Sequence, residues 1–314
     1  MIGTGSIDHI LLIGFGGPEK PEEVRPFLER LTQGTRIPEA RLKEVAHHYE
    51  ATGGFSPYNA HALRLFGKLQ QELRSGGVDL PLFLGMRNWR PFLSDTLREI
   101  SGKGLRRGLG IILAPHRSDA SFGRYVKSVA AAAQAAGAEV EVEYLRPWHD
   151  HPLFIQAQAE RVRPLLSAGN GDGAAAHLLF TAHSIPTEMA RASAYEQEIR
   201  DSSRLTAEAL GAAGWSVAYQ SRSGPPGQPW LEPDVAAEIR RLQSAGRRTL
   251  VAVPIGFLFD HTEVLYDLDV EAKQAAEGQG LRFLRAPTVM DHPTFVRMLA
   301  ELIQEQMAIQ GAQR

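Results

Sequence analysis

Gly108 to Ala114, GLGIILA, runs straight into Pro115-His116-Arg117-Ser118. Much later Ala176 to Thr181, AHLLFT, runs into Ala182-His183-Ser184-Ile185-Pro186. Each is a short apolar run of strand length, and each ends with a histidine, a serine and a proline close together. The likeness predicts two similarly built halves facing each other across a cleft. Outward from the first run, the apolar segments His9 to Phe15, Leu80 to Gly85 and Glu139 to Leu145 alternate with helical patterns at Pro21 to Leu31, Ala40 to Ala51, Ala60 to Ser75 and Phe92 to Ser101. Outward from the second, Ser216 to Gln220, Leu250 to Pro254 and Phe283 to Pro287 alternate with helices at Ala194 to Ala212 and His292 to Met307. Strands alternating with helices define an α/β chain with parallel, doubly wound sheets. Ligands in such sheets collect at the carboxyl ends of the strands.

The chain has 314 residues, beyond the usual limit of one core, so two domains are expected, 1–160 and 161–314. Apolar content of 43% and charged content of 22% are ordinary for a globular protein, and a formal charge of −2 offers no basic field for nucleic acid. Cysteine is absent, which removes disulfides, thiolate nucleophiles and cysteine-held iron–sulfur clusters together. The opening MIGTGSIDHILLIGF lacks a basic n-region, and its apolar run is too short for a membrane helix, so a cytoplasmic location and no membrane span are expected.

Gly14-Phe15-Gly16-Gly17-Pro18 breaks the first strand into a turn, but the spacing is not G-x-G-x-x-G, and Glu19, Glu22 and Glu23 come next, where a pyrophosphate would be repelled. Close backbone approach to a flat ligand, or a tight turn, fits better than a nucleotide. Pro254 to Glu271, PIGFLFDHTEVLYDLDVE, is the most distinctive stretch. Glu263, Asp267 and Glu271 recur every fourth residue, so on an α-helix they drift only roughly 80° while climbing about 12 Å. Like charges at this spacing weaken a helix. Either solvent and basic neighbours compensate, or a cation is handed along the ladder.

His183 at one strand end and Glu263 just past another form the pair best placed for chemistry. A neutral imidazole and a carboxylate across a cleft can bind a divalent metal, take protons from a weakly acidic N–H, or do both. A serine triad through Ser184 is disfavoured, because its flanks are not a G-x-S-x-G elbow.

At these residues the chain resembles the ferrochelatases. The resemblance rests on Leu11-Leu12-Ile13-Gly14-Phe15-Gly16-Gly17-Pro18, Thr181-Ala182-His183-Ser184-Ile185-Pro186, Tyr219 to Gly224 with Trp230-Leu231-Glu232-Pro233-Asp234, Val253 to Phe257, and Asp260-His261-Thr262-Glu263-Val264-Leu265-Tyr266-Asp267. The bacterial coproporphyrin III type is the most similar. The resemblance implies two similar Rossmann-like domains, each a parallel sheet flanked by helices, with a porphyrin cleft between them. It implies insertion of ferrous iron into coproporphyrin III to give coproheme, with iron as substrate rather than resident cofactor.

Residue by residue, the resemblance implies that His183 faces the porphyrin nitrogens with Glu263 as its partner. Asp267 and Glu271 match an acidic track for metal on a π-distorted helix. Ser56 and Tyr125 match contacts to porphyrin propionates. Phe15 departs from relatives whose tyrosine there can ligate product iron, because a phenyl ring cannot ligate. Phe15, Phe55, Trp230 and Phe257 are candidate apolar walls, and coproporphyrin's extra propionates call for groups such as Arg36, His48, Arg117 and Arg124 at the mouth. A monomer is expected, with a downstream coproheme-processing enzyme as possible partner. Competing readings are a protoporphyrin IX ferrochelatase, a cobalt chelatase and a non-catalytic haem carrier.

Overall fold

The computed structural model describes residues 6–33, 38–169, 176–224 and 227–312. Arg36, expected at the cleft mouth, lies outside them. The first half runs β1 (His9–Gly14), α1 (Pro21–Leu31), α2 (Glu39–Ala51), α3 (Tyr58–Ser75), β2 (Leu82–Met86), α4 (Leu93–Gly102), β3 (Arg107–Ile112), α5 (Arg124–Ala136) and β4 (Glu141–Tyr144). The second runs α6 (Pro152–Gly169), β5 (His177–His183), α7 (Thr187–Arg191), α8 (Tyr195–Leu210), β6 (Trp215–Gln220), α9 (Val235–Ser244), β7 (Thr249–Val253), α10 (Thr262–Val264), α11 (Lys273–Glu277), β8 (Arg282–Arg285) and α12 (Pro293–Ala312).

Each half holds a four-stranded parallel sheet, ordered β2-β1-β3-β4 in the first and β6-β5-β7-β8 in the second. The two orders are the same topology repeated, so the two α/β halves anticipated from the paired strand ends are present. Alternation along the strands loads both faces of a sheet. Ile10 and Leu12 of β1 pack toward α3, while Leu11 and Ile13 pack toward α4 and α5.

The cores do not follow a division at residue 160. That boundary falls inside α6, and α12 packs its Phe295, Leu299 and Ile303 into the core beneath β1 and α3. α12 packs against α3 and α6, which brings the C-terminal end of the chain into the core of the first half.

π-helical turns interrupt both equivalent crossovers, at Asp119–Gly123 between β3 and α5 and at Leu265–Ala272 between α10 and α11. α5 begins at Arg124, where the first π-turn feeds directly into it. Among the described residues no helix is long and apolar enough to cross a membrane.

Candidate active site

A cavity of about 630 Å³ opens where the carboxyl ends of the two sheets meet. Phe15, Ser56, Tyr125, His183, Trp230 and Glu263 all line it, so strand ends from both halves converge on one volume. Phe257 also lines it, whereas Phe55 is 41% exposed and forms no wall, because Gly53 and Gly54 turn the loop outward.

His183 is the last residue of β5. Its Nδ1 lies 2.5 Å from the carbonyl oxygen of Ser184. A carbonyl only accepts, so Nδ1 carries the proton and Nε2 is left as a lone-pair acceptor. The carbonyl of His183 is itself fixed by the Tyr195 hydroxyl at 2.9 Å. Ser184, a nucleophile candidate by residue type alone, instead donates its hydroxyl to the Leu231 carbonyl at 2.9 Å. With Leu231 N–H donating to Ile185 O and Thr187 N–H to Pro229 O, both at 3.0 Å, this ties the Trp230 loop to the strand end. The loop is a fixed wall.

Glu263 enters from β7. Gly256 N–H donates to Thr181 O at 3.1 Å, and a Cβ on Gly256 would stand 2.6 Å from Ala182 Cβ. Glycine alone lets the β7 loop lie against β5 and bring Glu263 to the cavity that holds His183. Glu263 itself is exposed. His261 caps α10, its Nδ1 accepting from Val264 N–H at 3.3 Å, so Nε2 holds the proton of its neutral form. Burial keeps His261 below the usual histidine range. His261, part of the Asp260 to Asp267 motif, also lines the cavity, as do Tyr58 and Arg87, which the sequence pattern does not single out.

Asp267 and Glu271 do not line the cavity. They come after Glu263 on the second π-helix, as the resemblance implies. Asp267 accepts from the Ser221 hydroxyl and from Gln220 Nε2 at 3.2 Å. Gln220 pairs with His183 across the β5–β6 register and also donates to the Glu263 carbonyl at 3.3 Å, so one side chain joins the histidine strand to the acidic helix. Ser221 reaches Asp267 from a left-handed backbone, φ 60°, which is strained for a residue other than glycine. Burial raises Asp267 to about 7, the Glu263 and Glu271 charges push the same way, and the Ser221 and Gln220 hydrogen bonds oppose them. Burial and Glu44 raise Glu271, with Arg41 opposing. Among the described residues no group of three or more His, Cys, Asp or Glu converges to hold a metal.

Tyr125 is buried at the start of α5, and Ser56 is buried beside the glycine turn, where a Cβ on Gly17 would meet Ser56 Cβ at 2.8 Å. The turn at Gly16-Gly17 therefore serves close approach of the 53–58 loop. Arg117 is spent elsewhere: its backbone N–H, Nε and terminal nitrogen all bind the buried Glu198 of α8, at 2.7, 2.8 and 2.6 Å. His48 stacks on Tyr266 at 3.8 Å, closing a seam between α2 and the second π-helix.

Two α/β halves with a cavity between their strand ends, lined by a histidine from one strand end and a carboxylate from the segment after the neighbouring strand, have the two-domain architecture of chelatases. SirB from Bacillus subtilis, solved with Fe3+, shares it over 98% of both chains at a TM-score of 0.59; at 12% identity the likeness is one of fold. A family model for ferrochelatase matches residues 8–307. The chain is 42% identical over 302 residues to "Ferrochelatase" of Rhodopirellula baltica, covering 96% of this chain and 86% of that protein. It is 40% identical over 302 residues to "Coproporphyrin III ferrochelatase" of Mycobacterium tuberculosis H37Rv, covering 95% and 86%. The chain belongs to the ferrochelatase family and is a metal chelatase.

Proposed function

We propose that this ferrochelatase inserts ferrous iron into coproporphyrin III, with His183 and Glu263 as the reacting pair. The carrying observation is the placement of His183, whose Nε2 is the ring nitrogen not engaged by Ser184, and of Glu263 on one cavity. Metallation replaces two pyrrole N–H protons by one dication. His183 Nε2 accepts the first proton from the macrocycle, since its other nitrogen is committed to Ser184, and after releasing it to solvent accepts the second. Glu263, exposed at the end of the Asp267–Glu271 ladder, receives the metal that these carboxylates pass inward and orients it toward the ring. Phe15, Trp230 and Phe257 supply flat apolar walls that keep water from the exchanging nitrogens. Phe15 has no ligating atom, so product iron takes no bond from that side chain.

Coproporphyrin III is favoured as substrate by the similarity to the Mycobacterium tuberculosis relative that carries that name, and Ser56 and Tyr125, both on the cavity wall, are the contacts this reading gives its propionates. Anaerobic iron insertion, followed by absorbance with coproporphyrin III and protoporphyrin IX side by side, tests the reading. Faster turnover of coproporphyrin III supports it; equal or slower turnover assigns the chain to the protoporphyrin reaction.

A further inference from the structure

Among the described residues that line the cavity, Glu263 is the one carboxylate, and Arg87 and Arg124 are the two guanidinium groups. The charges come from different halves, the carboxylate from the segment after β7 in the second and the arginines from the segments after β2 and β3 in the first. Arg87 is half-buried, and its Nε donates to Ser128 Oγ at 3.1 Å; Ser128 in turn donates to the backbone carbonyl of Arg124 at 2.8 Å. Burial keeps Arg87 below the ordinary arginine range, and the Arg124 charge adds to that. Neither arginine has an acidic partner among the described residues. Two neighbouring cations, one of them partly desolvated and neither neutralised from within the protein, are stabilised by an anion from outside.

The local backbone aims this corner. Gly123 N–H donates to Ser118 O at 3.1 Å, an i→i+5 bond, and the Ser118–Ser121 capping box fixes where that turn begins. One added residue rotates the downstream helix by about 100°, and that helix opens with Arg124 and Tyr125. Ala120, in the same turn, packs against the second core, so the corner is referenced to both halves.

We infer that Arg124, with Arg87 beside it, is the specificity-determining group that binds a carboxylate on the edge of the porphyrin and selects the more carboxylated macrocycle. The inference rests on the coproporphyrin reading above. It orients the substrate with an acidic edge toward the β2 and α5 corner and its nitrogens toward His183 and Glu263. Carboxylate and guanidinium form charge-assisted, bidentate hydrogen bonds, which a neutral side chain cannot replace.

The test compares kcat/KM for coproporphyrin III and protoporphyrin IX in the native chain, Arg124→Gln, Arg124→Lys and, as an exposed arginine away from the cavity, Arg90→Gln. Arg124→Gln lowers the coproporphyrin-to-protoporphyrin ratio about tenfold, through KM for coproporphyrin III. Arg124→Lys recovers part of that ratio, and Arg90→Gln keeps it. A native ratio that persists in Arg124→Gln overturns the inference and leaves the substrate reading standing. A native chain without preference for coproporphyrin III overturns both. If Arg124→Gln does not fold, quenching of coproporphyrin III fluorescence by Arg124→Met, which also removes the charge, at rising salt replaces it. A salt dependence weaker than the native one supports the inference, and an unchanged one overturns it.

Discussion

Arg285 grips Asp269 with two arms of its guanidinium, Nε at 2.6 Å and a terminal nitrogen at 2.9 Å, while the other terminal nitrogen sits 3.1 Å from both oxygens of Asp260. Asp269 lies on the π-helix that carries Asp267 and Glu271, and Asp260 lies three residues before Glu263. One side chain at the end of β8 thus ties the loop before Glu263 to the second π-helix. Arg285→Met strands two carboxylates in a half-buried setting and destabilises the protein by about 3 kcal/mol in denaturant unfolding. The folded fraction loses iron-insertion kcat more than porphyrin affinity.

Asp267 gives the acidic ladder a pH signature. Its folded value of about 7 is raised above the ordinary 3.8, so the native state holds a proton that the unfolded chain has released. Stability from this residue is therefore present at low pH and lost as pH rises from about 4 to about 7. Asp267→Asn keeps the neutral form throughout. Thermal melts should show the variant level with the native chain near pH 4 and more stable at pH 8, with slower iron insertion at both.

His116 carries the opposite dependence. It is 2% exposed, its Nε2 bonds Ser202 Oγ at 3.0 Å, and burial presses it down to about 3. Between the ordinary value near 6.5 and about 3 the unfolded chain takes a proton that the native one refuses, so stability falls as pH falls through that window. At pH 5 this amounts to about 2 kcal/mol. His116→Gln should flatten the acid limb of a pH–Tm profile.

Gly256 has no room for a side chain. Its Cβ would meet Ala182 at 2.6 and 2.8 Å, one residue from His183. Gly256→Ala costs about 2 kcal/mol through overpacking and pushes the β5 end away from the β7 loop. Activity should fall further than stability alone explains, measured as kcat at a temperature where the variant is fully folded.

The strand ends are legible in the sequence because a buried parallel strand is a nearly continuous apolar run, and GLGIILA and AHLLFT leave few alternatives. His183 is legible for a related reason, since it ends such a run, while Glu263 is legible from the four-residue spacing it shares with Asp267 and Glu271. Partner choice over long distances is not. Arg117 reads as a free mouth cation, yet it faces Glu198, a residue on α8 that nothing in the local pattern pairs with it. The destination of α12 depends on α3 and α6, distant helices that nothing in its own residues names. The π-turn at 119–123 is too short to leave a period in the pattern. Phe55 reads as a wall because it is aromatic, and the left-handed glycines before it turn it outward.

The central claim is that one histidine nitrogen and one carboxylate carry the metallation while the rest of the cavity binds. Anaerobic ferrous insertion into coproporphyrin III, with porphyrin binding measured in parallel by fluorescence, tests it on the native chain, His183→Ala and Glu263→Gln. Both variants should bind the porphyrin and insert iron at no more than about 1% of the native rate. A His183→Ala chain that binds porphyrin and metallates it at the native rate would contradict the account.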